Sequence, residues 1–154
     1  LPLGQDPAVR RVLYALLILM AGGMAYVRLA PDDPARWHVP AAPAGGGDPV
    51  QGANAARAQL GLPGVGPAEV LARLDGIALA TPRTLRLAGS PAEGRVTWVT
   101  RSRLFGFPDY TTAEARADGA DTVLTLHARA RYGRGDLGVN AARLKDWIAR
   151  LGAP

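Results

Sequence analysis

The side chains best equipped for polar chemistry fall in two short stretches. Arg101, Ser102, Arg103 and Asp109 occupy the first, and Arg129, Arg131, Asp136, Asn140 and Arg143 the second. A guanidinium presents several N–H donors in a rigid fork. Several of them near a helix N-terminus suit a carboxylate or a phosphate. The candidates for holding an anionic ligand are therefore Arg101, Ser102, Asp109, Arg129, Arg131, Asp136, Asn140 and Arg143. The same residues also read as an internal network, with Arg101 or Arg129 paired to Asp109 or Asp136 to fix loops, and the sequence leaves both readings open. Two other functions compete with binding. One is a small hydrolase using Asp109 or Asp136 with His127, and the other is a purely structural accessory subunit. No catalytic residue can be assigned, because Ser90 and Ser102 are the only serines and neither sits in a GxSxG setting.

Composition removes several chemistries. The 154 residues contain no cysteine and only two histidines, His38 and His127. Disulfide scaffolds, thiolate zinc sites, cysteine nucleophiles and histidine-rich metal centres are thereby excluded, and neither a metal nor a cofactor is expected. Gly133 to Gly138 spells GxGxxG, but no second parallel strand or ribose-binding acid can follow before Pro154, and Asp136 would meet a pyrophosphate with the wrong charge. The formal charge is +5, and of 18 basic residues only Lys145 is not arginine, a skew that fits codon bias in a GC-rich genome. From Pro67 onward 13 basic residues face 9 acidic ones with no basic run interleaved with aromatics, so no nucleic-acid partner is expected.

The elements that must position these residues begin with an apolar segment. Val12 to Val27 carries no charge, is preceded by Arg10 and Arg11 and is followed by Arg28. At about 1.5 Å per residue it covers roughly 24 Å, and a snorkelling Arg28 extends it toward the hydrocarbon thickness of a bilayer. It reads as a transmembrane helix over 12–30 behind a cytoplasmic tail over 1–11, in preference to a cleaved signal peptide. Residues 31–66 are rich in proline and glycine and read as a linker, interrupted by Trp37-His38.

A globular part is expected over 67–154. Val70, Leu71, Leu74, Ile77 and Ala78 recur at helical spacing from Pro67 to Ala80. Thr84 to Ala88 and Arg95 to Arg101 predict two strands joined by a turn at Gly89 to Pro91. Asp118-Gly119 predicts a two-residue hairpin between Tyr110–Ala117 and Ala120–Arg131, in which Ala113 faces Leu124 and Thr111 faces Leu126. Thr111, Ala113, Ala115, Leu124, Leu126, Ala128 and Ala130 then share the core face. Asn140 is the expected cap of a last helix carrying Leu144, Trp147, Ile148 and Leu151 on one stripe. The fold class is α+β: an N-terminal transmembrane helix, a second helix, a four-stranded antiparallel sheet and a C-terminal helix, with both globular helices on one face of the sheet. The other face is left to arginines.

The stretches Thr100 to Tyr110 and Arg129 to Gly133, with Asp136 to Asn140, Arg143 and Trp147, resemble the family of domain of unknown function 1499. Leu71 to Asp75, Leu87 to Ser90 and Trp37-His38-Val39 fit as well. The resemblance runs from about Pro34 to Leu151. It implies a protein of bacteria or plastid-bearing eukaryotes, often behind a membrane segment or signal, whose activity is unassigned. Relatives often carry Ser-Arg-Ser-Arg where this chain has Ala128-Arg129-Ala130-Arg131, which weakens any role for those hydroxyls. The combined expectation is a single-pass protein of the bacterial inner membrane with a periplasmic domain. Its partners would be the lipid bilayer and an anionic small molecule, a lipid headgroup or a protein, bound through an arginine-lined face.

Overall fold

The structure is a computed structural model that describes residues 6–46 and 48–152. The first five residues of the expected tail, Gly47 of the glycine run and the last two residues of the expected globular part lie outside the described residues. Helix α1, Pro7–Leu29, is opened by the Asp6 carboxylate accepting from the Ala8 N–H, and buries none of its residues. By length and hydropathy it can cross a membrane, as an anchor or as a signal sequence.

Beyond it lies one antiparallel sheet of six strands, not the expected four. In chain order the elements are α2 (Pro34–Trp37), β1 (Val50–Gln51), β2 (Ala55–Leu62), α3 (Pro67–Leu79), β3 (Thr84–Ser90), β4 (Arg95–Arg101), β5 (Pro108–Asp118), β6 (Asp121–Ala130) and α4 (Val139–Leu151). The spatial order is β1-β2-β6-β5-β4-β3. The two additional strands come from the segment expected to be linker. Ala56, Ala58, Leu60 and Leu62 recur with period two and all pack into the helix-covered core, whereas Arg57 and Gln59 face the other way.

Helices α3 and α4 cover one face. Leu71, Leu74, Leu144 and Trp147 meet Val96, Trp98, Ala113, Leu124, Leu126 and Ala128, all without solvent exposure. Trp98 and Trp147 contact edge to face with ring centroids 5.5 Å apart. At the centre of this layer the buried Asp75 carboxylate of α3 accepts from Trp98 Nε1 at 2.8 Å and from Arg86 Nε at 3.0 Å, with a second bond from Arg86 Nη2. One acid thereby satisfies the buried indole N–H and fixes α3 over β3 and β4.

The β5–β6 hairpin forms with its register moved by two residues. Ala113 faces Leu126 and Thr111 faces Ala128, and Gly119-Ala120, not Asp118-Gly119, make the turn. A shift of two preserves every side chain's face, so the expected core positions hold. Asn140 is not the cap of α4. Gly138 holds that position, and the Asp136 carboxylate accepts from the Gly138 and Asn140 N–H groups at 3.1 Å each.

Replacing Asp75 by Ala orphans the buried Trp98 N–H, at an expected cost of about 1–3 kcal/mol. In urea unfolding of the detergent-solubilised full chain, Asp75→Ala combined with Trp98→Phe should cost less than the sum of the two single changes, because the second removes the donor the first strands.

Candidate functional site

The outer sheet face carries Arg95, Thr97, Val99 and Arg101 from β4, Tyr110, Thr112 and Glu114 from β5, His127 and Arg129 from β6, and Arg57 from β2. Strand alternation puts all of them opposite the helices. The expectation that arginines line this face is met, but the face is not open. Residues 31–41, expected as tether, lie across it as a strap.

The strap is held mainly through its backbone. The Pro31 carbonyl accepts from Arg131 Nη1 at 2.8 Å, and the Trp37 carbonyl accepts from Arg129 Nη2 at 2.8 Å and from the Thr112 hydroxyl at 3.3 Å. The Ala41 N–H donates to Glu114 Oε2 at 2.8 Å, and Glu114 also takes Arg95. His38 Nδ1 lies 2.9 Å from Thr97 Oγ1. Its ring edge is so close to Gly89, where φ is +79°, that an added Cβ would come within 2.6 Å of His38 Cε1. Asp32 takes Arg101 at 2.6 Å and the Tyr110 hydroxyl at 2.5 Å. Burial first, and then the hydrogen bond to Asp32, push the Tyr110 phenol up to about 12. Trp37 is stacked on Tyr110 with ring centroids 3.9 Å apart and planes 11° from parallel, and the Arg36 and Arg129 guanidiniums lie 5.2 and 5.5 Å from its centroid.

The eight candidate residues therefore separate. Arg101 is neutralised by Asp32 and also donates to the Gly106 carbonyl. Arg131 is spent on the strap. The Ser102 hydroxyl accepts from the Phe107 N–H and shapes the 102–107 loop. On the helix side, Arg143 pairs with Asp109 at 2.9 Å and donates to Asn140 Oδ1 at 2.7 Å. Burial raises the Asp109 pKa against the lowering effect of Arg143. Asp136 is held below the usual carboxylate range although burial opposes it, because Asn140, Gln51 and Gly138 all donate to it. These five are held internally, but not by the expected pairs: Arg101 takes Asp32, Asp109 goes to Arg143, Asp136 accepts from Gln51, Gly138 and Asn140, and neither Arg101 nor Arg129 meets Asp109 or Asp136. His127 and Asp109 lie on opposite faces of the sheet, and the other candidate acid, Asp136, is bonded to Gln51, Gly138 and Asn140 at the start of α4, so neither carboxylate of the hydrolase reading is brought to the imidazole.

Arg129 is different. Like Arg131 it donates to a strap carbonyl and pairs with no carboxylate among the described residues, but it is half-buried and its Nε is itself buried without a hydrogen-bond partner. Beside it the His127 Nδ1 is also buried, with no partner among the described residues. Burial, then Arg129, then Arg57 lower the His127 pKa to about 4, so the ring is neutral near pH 7. Arg57 faces His127 across the β2–β6 ladder and is exposed. Sequence reasoning missed Arg57 and Asp32; Trp37 stands out in the sequence as a linker aromatic that either meets the bilayer surface or docks on the domain, and it docks. The alternation from Ala56 to Leu62 was the signal for Arg57, and Pro/Gly-rich flanks obscured it.

A profile of the family described as protein of unknown function (DUF1499) matches residues 31–151. The chain belongs to the DUF1499 family. No curated protein matches it. The DUF1499 match begins at Pro31, the first residue of the strap, so the segment expected as linker lies within the family region. Ala128 points into the helix layer and is fully buried.

His127 dictates a pH dependence. Its folded pKa lies below the unfolded value of 6.5, so the unfolded chain binds the extra proton as pH falls from 6.5 to about 4, and stability declines across that window. Full titration amounts to roughly 3 kcal/mol. Asp109, whose pKa burial raises, works in the opposite sense. Chemical denaturation at a series of pH values should show the decline, and His127→Gln should flatten it.

Proposed function

We propose that this DUF1499 protein is a membrane-anchored envelope domain that binds an anionic group on the outer face of its sheet. The observation that carries the reading is Arg129, a half-buried cation with no carboxylate partner among the described residues and with an unused Nε donor. A charge in that position is costly unless something neutralises it. Arg57 is one diagonal step away on the neighbouring strand, since Arg57 faces His127 and Ala55 faces Arg129. Diagonal positions are about 7–8 Å apart, within reach of one phosphate or carboxylate bridged by two long side chains. His127 between them supplies a neutral ring nitrogen.

The anion is a phosphate or carboxylate, carried by a lipid headgroup or by a soluble molecule. Binding would raise the His127 pKa, because a negative charge beside the ring favours the imidazolium. Titration of His127 by NMR on the full chain in nanodiscs reads this directly. With zwitterionic lipid, added inorganic phosphate should move the titration upward if the ligand is soluble. With anionic lipid and no phosphate, the same movement identifies a headgroup. Arg57→Ala should diminish either movement, and an unmoved titration in both arms overturns the reading.

The anchor is α1, with Arg10 and Arg11 retained in the cytoplasm and the sheet domain in the periplasm of a bacterial inner membrane. The chain has no cysteine, so a single exposed one introduced by Ala120→Cys reports sidedness cleanly. A membrane-impermeant maleimide should label it in spheroplasts without lysis. Labelling only after lysis reverses the orientation.

A further inference from the structure

The 102–107 loop between β4 and β5 is an apolar protrusion, and its neighbour in space is α1. Leu104 is 68% exposed and Phe105 and Phe107 are each 39% exposed. The two phenylalanines, whose rings lie 5.6 Å apart, form a groove with Met20, Gly23, Met24 and Val27 of α1, with a volume of about 260 Å³. All four helix residues belong to the uncharged run.

The contact is built. Arg28 Nη2 donates to the Leu104 carbonyl at 3.0 Å, and Arg101 Nη1 reaches the Val27 carbonyl at 3.5 Å while also holding the Gly106 carbonyl at 3.1 Å. Gly106 has φ +74°, and a Cβ there would come within 2.9 Å of Arg28 Cγ. A side chain at this position would be strained and would also push the loop off the helix.

We infer that the tip of this loop, Leu104 with Phe105 and Phe107, dips into the bilayer beside α1 and gives the domain a second attachment to the lipid surface. The occupant of the groove and the solvent of the loop tip are acyl chains of the leaflet that α1 leaves. Continuity of the groove with the membrane-spanning run fixes that choice. Val27 and Met20 are seven residues apart, about 10 Å along the helix axis, so the rings flank α1 from the end of the uncharged run to that depth. Arg28 and the exposed Arg103 flank the loop on the polar side, where guanidiniums meet headgroup phosphates while their stems lie along apolar surface. Phenylalanine and leucine are side chains that segments lying in a membrane interface bury at the acyl-chain boundary.

The inference rests on α1 being inserted, but not on the anion site at Arg129. Single cysteines carrying an environment-sensitive fluorophore test it in the full chain in nanodiscs: Leu104→Cys, Ile18→Cys in α1 as the inserted reference, and Leu137→Cys, fully exposed on the β6–α4 loop, as the aqueous reference. The expected result is that the Leu104 label loses fluorescence to brominated acyl chains as the Ile18 label does, while only the Leu137 label is quenched by iodide. A Leu104 label quenched by iodide and indifferent to bromine overturns the proposal. So does a label shielded from both quenchers, which would place the loop in a protein interface between copies. An Ile18 label indifferent to bromine would overturn the insertion of α1 and the loop proposal together, and leaves the His127 titration to judge the anion site by itself. Phe105→Cys repeats the measurement should Leu104→Cys fold poorly.

Discussion

The outer layer of the molecule depends on the stack of Trp37 against Tyr110 with Arg129 beside it. A sheet of this composition has an apolar side to bury and a second side lined by threonine, tyrosine, histidine and arginine. Something must cover Tyr110, which has no solvent exposure. The strap does so. It brings one aromatic ring and otherwise mostly backbone polar groups and a carboxylate to cations that already point outward. The stack contributes about 0.5–1.5 kcal/mol, the cation over the ring about 0.5–2, and a hydrogen bond from a charged donor about 1.5–3. Half-burying the Arg129 guanidinium costs several kcal/mol. At its start the pairing of Asp32 with Arg101 and Tyr110 adds direct charge compensation.

Local periodicity carried much of the fold. The α3 stripe, the β3–β4 hairpin, the β5–β6 alternation and the α4 stripe are all local patterns, and each survives into the structure at nearly its expected bounds, although the β3–β4 turn moves from the expected Gly89–Pro91 to Pro91–Gly94 because Gly89 and Ser90 pair with β4. The hairpin is instructive because its register was misplaced while its faces were right. The turn dipeptide moved by one residue, which moves the pairing by two and leaves the pleat in phase. Strand β2 was hidden for a compositional reason. Two of its four core-facing residues are alanines that bury little area, and Pro/Gly-rich flanks adjoin it, so the strand resembles a linker until β6 supplies the partner that satisfies its backbone.

The candidate site was legible as a set of side chains and illegible as a geometry. Two sequence clusters containing Arg101, Asp109, Arg129, Asp136 and Arg143 look like one constellation, but strand alternation sends Asp109 toward α4 and Tyr110, its neighbour, toward the strap. The counter-ion of Arg101 is Asp32, sixty-nine positions away in sequence, and no local pattern announces such a pairing. Arg129 could be recognised as distinctive only once the acids that might have served it were seen to be engaged elsewhere.

The path from α1 to the sheet has a mechanical side. Helix α1 ends at Leu29, and the Pro31 carbonyl and Asp32 carboxylate are already bonded to Arg131 and Arg101. Almost no slack separates the two bodies. A leash of thirty-odd residues would let a domain sample a hemisphere of orientations. This mounting behaves as a bracket, so a tilt of the helix turns the sheet with it, and a load applied to the sheet is felt as torque on the helix.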